Sequence, residues 1–119
     1  SFSESKDFLK KLYNLLEPGG QIRVSVPDVE KLFKLYNEQK KLNVIKNAIM
    51  GGQSYTNDFH KSIYDYEELK NILESINFKN ISSWKTKDVF GQSIGDWSDG
   101  VYKYNMQSYD ISLNLVGKK

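Results

Sequence analysis

The run Leu15–Asp28, LLEPGGQIRVSVPD, joins a helix end, a tight turn and a strand, and its reading decides the fold class. Pro18 cannot continue a helix and holds Glu17 out of the α region, while Gly19 and Gly20 can take the positive φ that a helix stop or a type II turn demands. The helix must therefore end here. Ile22, Val24 and Val26 then alternate with Gln21, Arg23 and Ser25, which describes a strand with one apolar and one mixed face, closed by Pro27. Asp28 follows as a cap whose carboxylate can accept from the amides of Val29 to Lys31, ahead of Val29, Leu32, Phe33 and Tyr36 at helical spacing.

Upstream of the turn, Ser1 or Ser3 is placed to cap a first helix that ends near Leu16, with Phe8, Leu9, Leu12, Leu15 and Leu16 as its apolar stripe. Downstream, a helix from Asp28 to Asn37 gives way to a charged break, Glu38 to Lys41. A further helix, Leu42 to Met50, is stopped by Gly51 and Gly52. Residues 53–60 read as a polar and aromatic loop. Asp65 and Glu68 form a capping box for a helix with Leu69, Ile72, Leu73 and Ile76 on its buried stripe, ended by Asn77 in the left-handed region. Two more strands follow, a modest one at Lys79–Trp84 and a clearly alternating one at Tyr109–Val116. The aromatic, glycine-bearing stretch between them, with Phe90, Trp97, Tyr102, Tyr104 and Tyr109, is too long for an ordinary connection. It reads as a lid, a segment packed by its own rings, or a contact surface.

With 119 residues the chain makes a single domain, and 39% hydrophobic with 13% aromatic content supports one packed core. No apolar run is long enough to span a bilayer, and the absence of cysteine excludes disulfides and thiolate metal sites. No signal peptide is visible, so the expected setting is cytoplasmic. Basic and acidic residues, 17 against 15, leave a net charge of +2, which gives no nucleic-acid footprint. Lys31, Lys34, Lys40, Lys41 and Lys46 are the densest basic group, and a solvated helix face explains them more simply than phosphate binding. With a single histidine and dispersed carboxylates, no metal-ligand spacing is recognisable.

The LLEPGG turn entering a strand resembles the passage into the fifth strand of class I S-adenosylmethionine-dependent methyltransferases. The later segment MGGQSYTNDFHKSIYDYEELKNILESINFKNI and the ending ISLNLVGKK resemble a bacterial subgroup acting on small molecules, with Asn77-Phe78 standing where that subgroup has Gly-Phe. The element order is similar to the C-terminal half of that fold from end to end. The resemblance implies a partial doubly wound, Rossmann-like α/β sheet of three strands, with helices on the faces and the last strand antiparallel between the other two.

It further implies methyl transfer from S-adenosylmethionine to a small-molecule or saccharide-like acceptor, in which positioning supplies much of the catalysis. The family's glycine-rich loop after the first strand, and the acidic residue that takes the ribose, have no counterpart in these residues. No cofactor-binding residue is therefore carried over, and the chain by itself is expected to be inactive. The alternative is a binding or assembly module derived from such an enzyme. Either way, the strand Gln21–Val26 lacks a neighbour on one side, and the expected consequence is a homodimer through an exposed sheet edge.

Substrate-side candidates are Pro27 and Asp28 at the C-terminal end of a strand, where ligands gather in open α/β sheets. Asp28 can accept from an amine or hydroxyl, or serve only as a helix cap. His60 is a candidate general base or hydrogen-bonding group, or a partly buried loop residue. Gly52, Gln53 and Tyr55 are candidates for the same cleft, against the reading of the glycine pair as a helix stop. Trp84, Trp97 and the tyrosines can stack on an aromatic acceptor, although packing is the commoner use of such rings.

Overall fold

Helix α1 (Phe2–Leu15) ends where Pro18 requires it to. The computed structural model describes residues 2–45, 64–92 and 101–119. At the turn only Gly19 enters the left-handed region (φ 82°). Gly20 is needed for a different reason, since a Cβ there would lie 2.9 Å from the Glu17 carbonyl oxygen that its own N–H binds. Ser3 is not a cap, because the helix already includes Phe2, and Ser1 lies outside the described residues.

The chain then enters β1 (Gln21–Pro27), and α2 (Val29–Gln39) begins immediately after Asp28. Helix α2 runs two residues beyond the expected Asn37 and stops at Lys40, which takes φ 56° and donates its N–H to Tyr36 C=O. Residues 42–45 are helical again, and the remainder of the expected Leu42–Met50 helix lies outside the described residues. Helix α3 (Tyr66–Ser75) is capped as the sequence predicts, with the Asp65 carboxylate accepting from the Glu68 N–H at 2.7 Å and Asn77 left-handed at φ 87°.

Strands β2 (Lys79–Ser83) and β5 (Ser112–Lys118) complete a three-stranded sheet of order β1-β5-β2, with β5 antiparallel to both neighbours. The last strand is thus the central one, and β1 and β2 run parallel to each other across it. The β1–β5 ladder is continuous from Gln21↔Lys118 to Pro27↔Ser112, whereas β2 carries a bulge between Lys79 and Ser82, with Asn80 at φ 56°.

Helices α1 and α3 both lie on one face of this sheet. Leu9 of α1 and Leu69, Ile72 and Leu73 of α3 bury against Ile22, Val24, Val26, Leu113 and Leu115. Each such side chain contributes about 1.5–3 kcal/mol by leaving water. Gly117 belongs to the same face, where a Cβ would come within 3.1 Å of Phe78 Cβ. A second, smaller core of Leu32, Leu35, Val44 and Ile111 forms where α2 packs at the C-terminal end of β1.

The stretch between β2 and β5 is more ordered than the sequence suggests. It contains the short helix α4 (Thr86–Phe90) and a hairpin of β3 (Val101–Tyr104) and β4 (Gln107–Asp110). Asn105 and Met106 link the hairpin strands with φ 52° and 66°, which is a two-residue type I′ connection. Tyr109 therefore belongs to the hairpin rather than to the last strand, which starts only at Ser112.

Candidate functional site

Pro27 and Asp28 are brought together at the C-terminal end of β1, and both are buried. The backbone holds Asp28 from two sides. Its N–H donates to Ile111 C=O at 2.8 Å, while Tyr64 N–H donates to Pro27 C=O and Val29 N–H to Tyr64 C=O, which makes a parallel bridge on the opposite side. The carboxylate performs the cap the sequence predicts, accepting from Glu30 N–H at 3.0 Å. Gly52, Gln53, Tyr55 and His60 lie outside the described residues, as does Trp97.

Beside Pro27, on the sheet face away from α1 and α3, three polar side chains form a cluster the sequence reading did not single out. Ser25 Oγ lies 2.8 Å from Ser112 Oγ, and both hydroxyls reach Asn114 Oδ1, at 2.7 and 2.8 Å. Lys31 of α2 closes the cluster by donating to Ser112 C=O at 2.6 Å and to the Asp110 carboxylate at 2.9 Å. The signal was present only as alternation within each strand. The register Ser25↔Asn114 and Pro27↔Ser112 is what converts it into a site.

A shallow hollow of about 310 Å³ opens next to this cluster, between α2 and β4, with Lys31, Lys34, Glu38, Tyr109 and Asp110 on its walls. The Tyr109 hydroxyl sits among Gln39, Glu38 and Gln107, so the hairpin is tied to α2 by both a hydroxyl network and an ion pair. Its walls carry two cations, two carboxylates and a phenol hydroxyl. A larger hollow of about 390 Å³, with Lys6, Asp65, Glu68 and Asn71 on its walls, lies between α1 and α3 on the other face and shares none of these groups. Among the described residues no group of three or more His, Cys, Asp or Glu is arranged to hold a metal ion, and no helix is long and apolar enough to cross a membrane.

The outer edge of β1 is the other conspicuous surface. Because Asp28 bonds to Ile111 on the β5 side, alternation directs the N–H and C=O groups of Gln21, Arg23 and Ser25 away from β5. Tyr64 covers the edge only at Pro27, and among the described residues no strand pairs with Gln21–Ser25. Leu15 stands 81% exposed on α1, with Phe8 and Leu12 seven and three residues before it. That flank of α1 is opposite the one carrying Lys6 and Tyr13, which face α3 and Phe78.

No family model matches the chain, and no curated protein or solved structure shows significant similarity to it.

Proposed function

We propose that this chain is the C-terminal half of a class I S-adenosylmethionine-dependent methyltransferase sheet, acting on a small-molecule or saccharide-like acceptor. The observation that carries this reading is the sheet order β1-β5-β2, in which the last strand lies antiparallel between two mutually parallel ones. The Gln21–Ser25 edge, unpaired among the described residues, supports it further, because it is the place where a cofactor-binding half would add its strand. In this reading the acceptor is held at the end of β1, with the Asp28 carboxylate and the hollow beside Lys31 and Tyr109 as its polar contacts. Pro27 shapes the wall, and Gly52, Gln53, Tyr55 and His60 remain the candidates outside the described residues.

In such a reaction the methyl group passes from the sulfonium of the cofactor to an acceptor oxygen or nitrogen, whose proton leaves to a base. His60 is the proposed base, and the chain's other contribution is positioning. S-adenosylmethionine is the proposed cofactor of the assembled enzyme and is bound by the partner half. Calorimetric titration separates the cases. Micromolar binding of S-adenosylmethionine by the 119-residue chain alone would contradict the half-enzyme reading. Failure of the chain to gain such binding with a polypeptide supplying the glycine-rich half would contradict the methyltransferase reading. By itself, the chain is proposed to close its β1 edge against a second copy.

A further inference from the structure

We infer that the face of the β1-β5-β2 sheet opposite α1 and α3 is a binding surface for single-stranded nucleic acid. The three strands read QIRVSVP, KNISS and SLNLVGK and contain no Asp or Glu, so every charge they carry is positive. Register gathers those charges on one face. Lys118 stands directly opposite Lys79 on β2 and Gln21 on β1, and Arg23, paired with Val116, lies one step along the same face.

Two lysines facing each other across a ladder repel, so the arrangement costs stability in the free protein and is relieved when an anion bridges them. None of Arg23, Lys79 and Lys118 has an ion-pair partner among the described residues, and all three are exposed. The net charge of the whole chain hides this face, because among the described residues the carboxylates lie on the helices, at the helix caps Asp28 and Asp65, at Glu17 in the turn before β1, and at Asp110 on the hairpin.

The choice of nucleic acid over another polyanion rests on Trp84. Its indole N–H donates to Leu115 C=O at 3.1 Å, which anchors the half-buried ring, and the Arg23 guanidinium lies 5.9 Å from the ring centroid. A guanidinium supported on an aromatic ring is a flat, cationic stacking platform for a base. Lys118, on the neighbouring strand two residues along from Val116, the pairing partner of Arg23, and Lys79, opposite Lys118 on the third strand, are contacts for phosphates further along a bound strand. Ser25 and Asn114 supply polar contacts on the same face, next to Arg23. A duplex would not fit as well, because the sheet offers neither a helix nor a ribbon to enter a groove.

The test is fluorescence anisotropy of a dye-labelled oligothymidylate of about ten nucleotides, titrated with the chain near 50 mM salt. Binding is expected in the range of about 10⁻⁴ to 10⁻⁶ M, and three neutralised phosphates imply a loss of about 15–20-fold on raising salt fourfold. Lys118→Gln and Arg23→Gln, both at exposed positions, should each weaken binding severalfold, and Trp84→Leu by about tenfold. Lys10→Gln on α1, whose helix packs on the other face, should leave it unchanged. Circular dichroism of Trp84→Leu separates a lost contact from a lost fold. Saturation absent at millimolar protein, or affinity unaltered in both Lys118→Gln and Arg23→Gln, would overturn the inference. Displacement of the oligonucleotide by polyglutamate at equal charge would reassign the face to an acidic polypeptide.

Discussion

Asp28 combines a structural role with a proposed chemical one, and two substitutions separate them. Asp28→Ala removes the acceptor for Glu30 N–H and should lower stability by about 1 kcal/mol in urea unfolding, whereas Asp28→Asn caps nearly as well and should cost little. An acceptor-holding carboxylate would make the asparagine variant stable yet defective in the assembled enzyme. The cap was legible because the preference of Asp for that position is local chemistry. The bridge from Pro27 and Val29 to Tyr64 was not, since it joins residues 36 positions apart and needs the tertiary fold. Lys40 offers a similar residue-scale case. Its φ of 56° is one that L side chains occupy at a cost, so Lys40→Gly should raise stability by about 0.5–1 kcal/mol, less whatever its ammonium contributes over the Tyr36 ring. An unchanged or lower urea midpoint would show that this cation–ring contact dominates.

Among the elements, the β3–β4 hairpin shows where local sequence signals fail. A two-residue type I′ loop is announced by Asn-Gly or Asp-Gly, and here the second position is Met106, fully exposed and at φ 66°. The strand pattern was readable, but the turn that separates it from β5 was not. Alternation alone therefore places Tyr109 in the last strand, whereas it belongs to β4. Met106→Gly should relieve the backbone and stabilise the hairpin by about 1 kcal/mol, read as slower amide exchange across the Tyr102↔Tyr109 pair with the sheet ladder unaffected. In β5, Lys118→Gln removes a like-charge neighbour from Lys79 and should raise stability by a few tenths of a kcal/mol, roughly, an increment that shrinks as salt is added.

For the molecule as a whole, the alternation in β1 and β5 and the stop at Pro18 made the strands readable in outline, while their order in the sheet was expected only from the resemblance. The apolar sides of both strands mark the face that α1 and α3 cover, but how many helices share it was not readable from alternation alone. The open edge leads to a prediction at this scale. Light scattering coupled to gel filtration should report about twice the mass of one chain, through a two-fold pairing of Gln21–Ser25 edges. Arg23→Pro deletes an N–H that points away from β5, so it should release monomers while leaving the β1–β5 ladder intact. A wild-type monomer that persists at high concentration would rule out this pairing. Substitution at Val24 would be a poorer test, since that side chain is buried against α1 and α3 and a charge there would unfold the domain.

The position of β5 also governs how the domain comes into being. During synthesis β1 and β2 leave the ribosome long before their shared neighbour, and neither bonds to the other in the finished sheet. Both must wait, with their apolar sides incompletely covered, until the last of the strands has been made. Folding is therefore expected to be late and all-or-none, with little native sheet in any nascent intermediate and a period of exposure to chaperones or to aggregation. A stop codon after Asp110 would remove β5, and it should abolish the circular dichroism signal of the three-stranded sheet, leaving only the β3–β4 hairpin able to contribute. Trimming residues from the α1 end should erode stability by degrees.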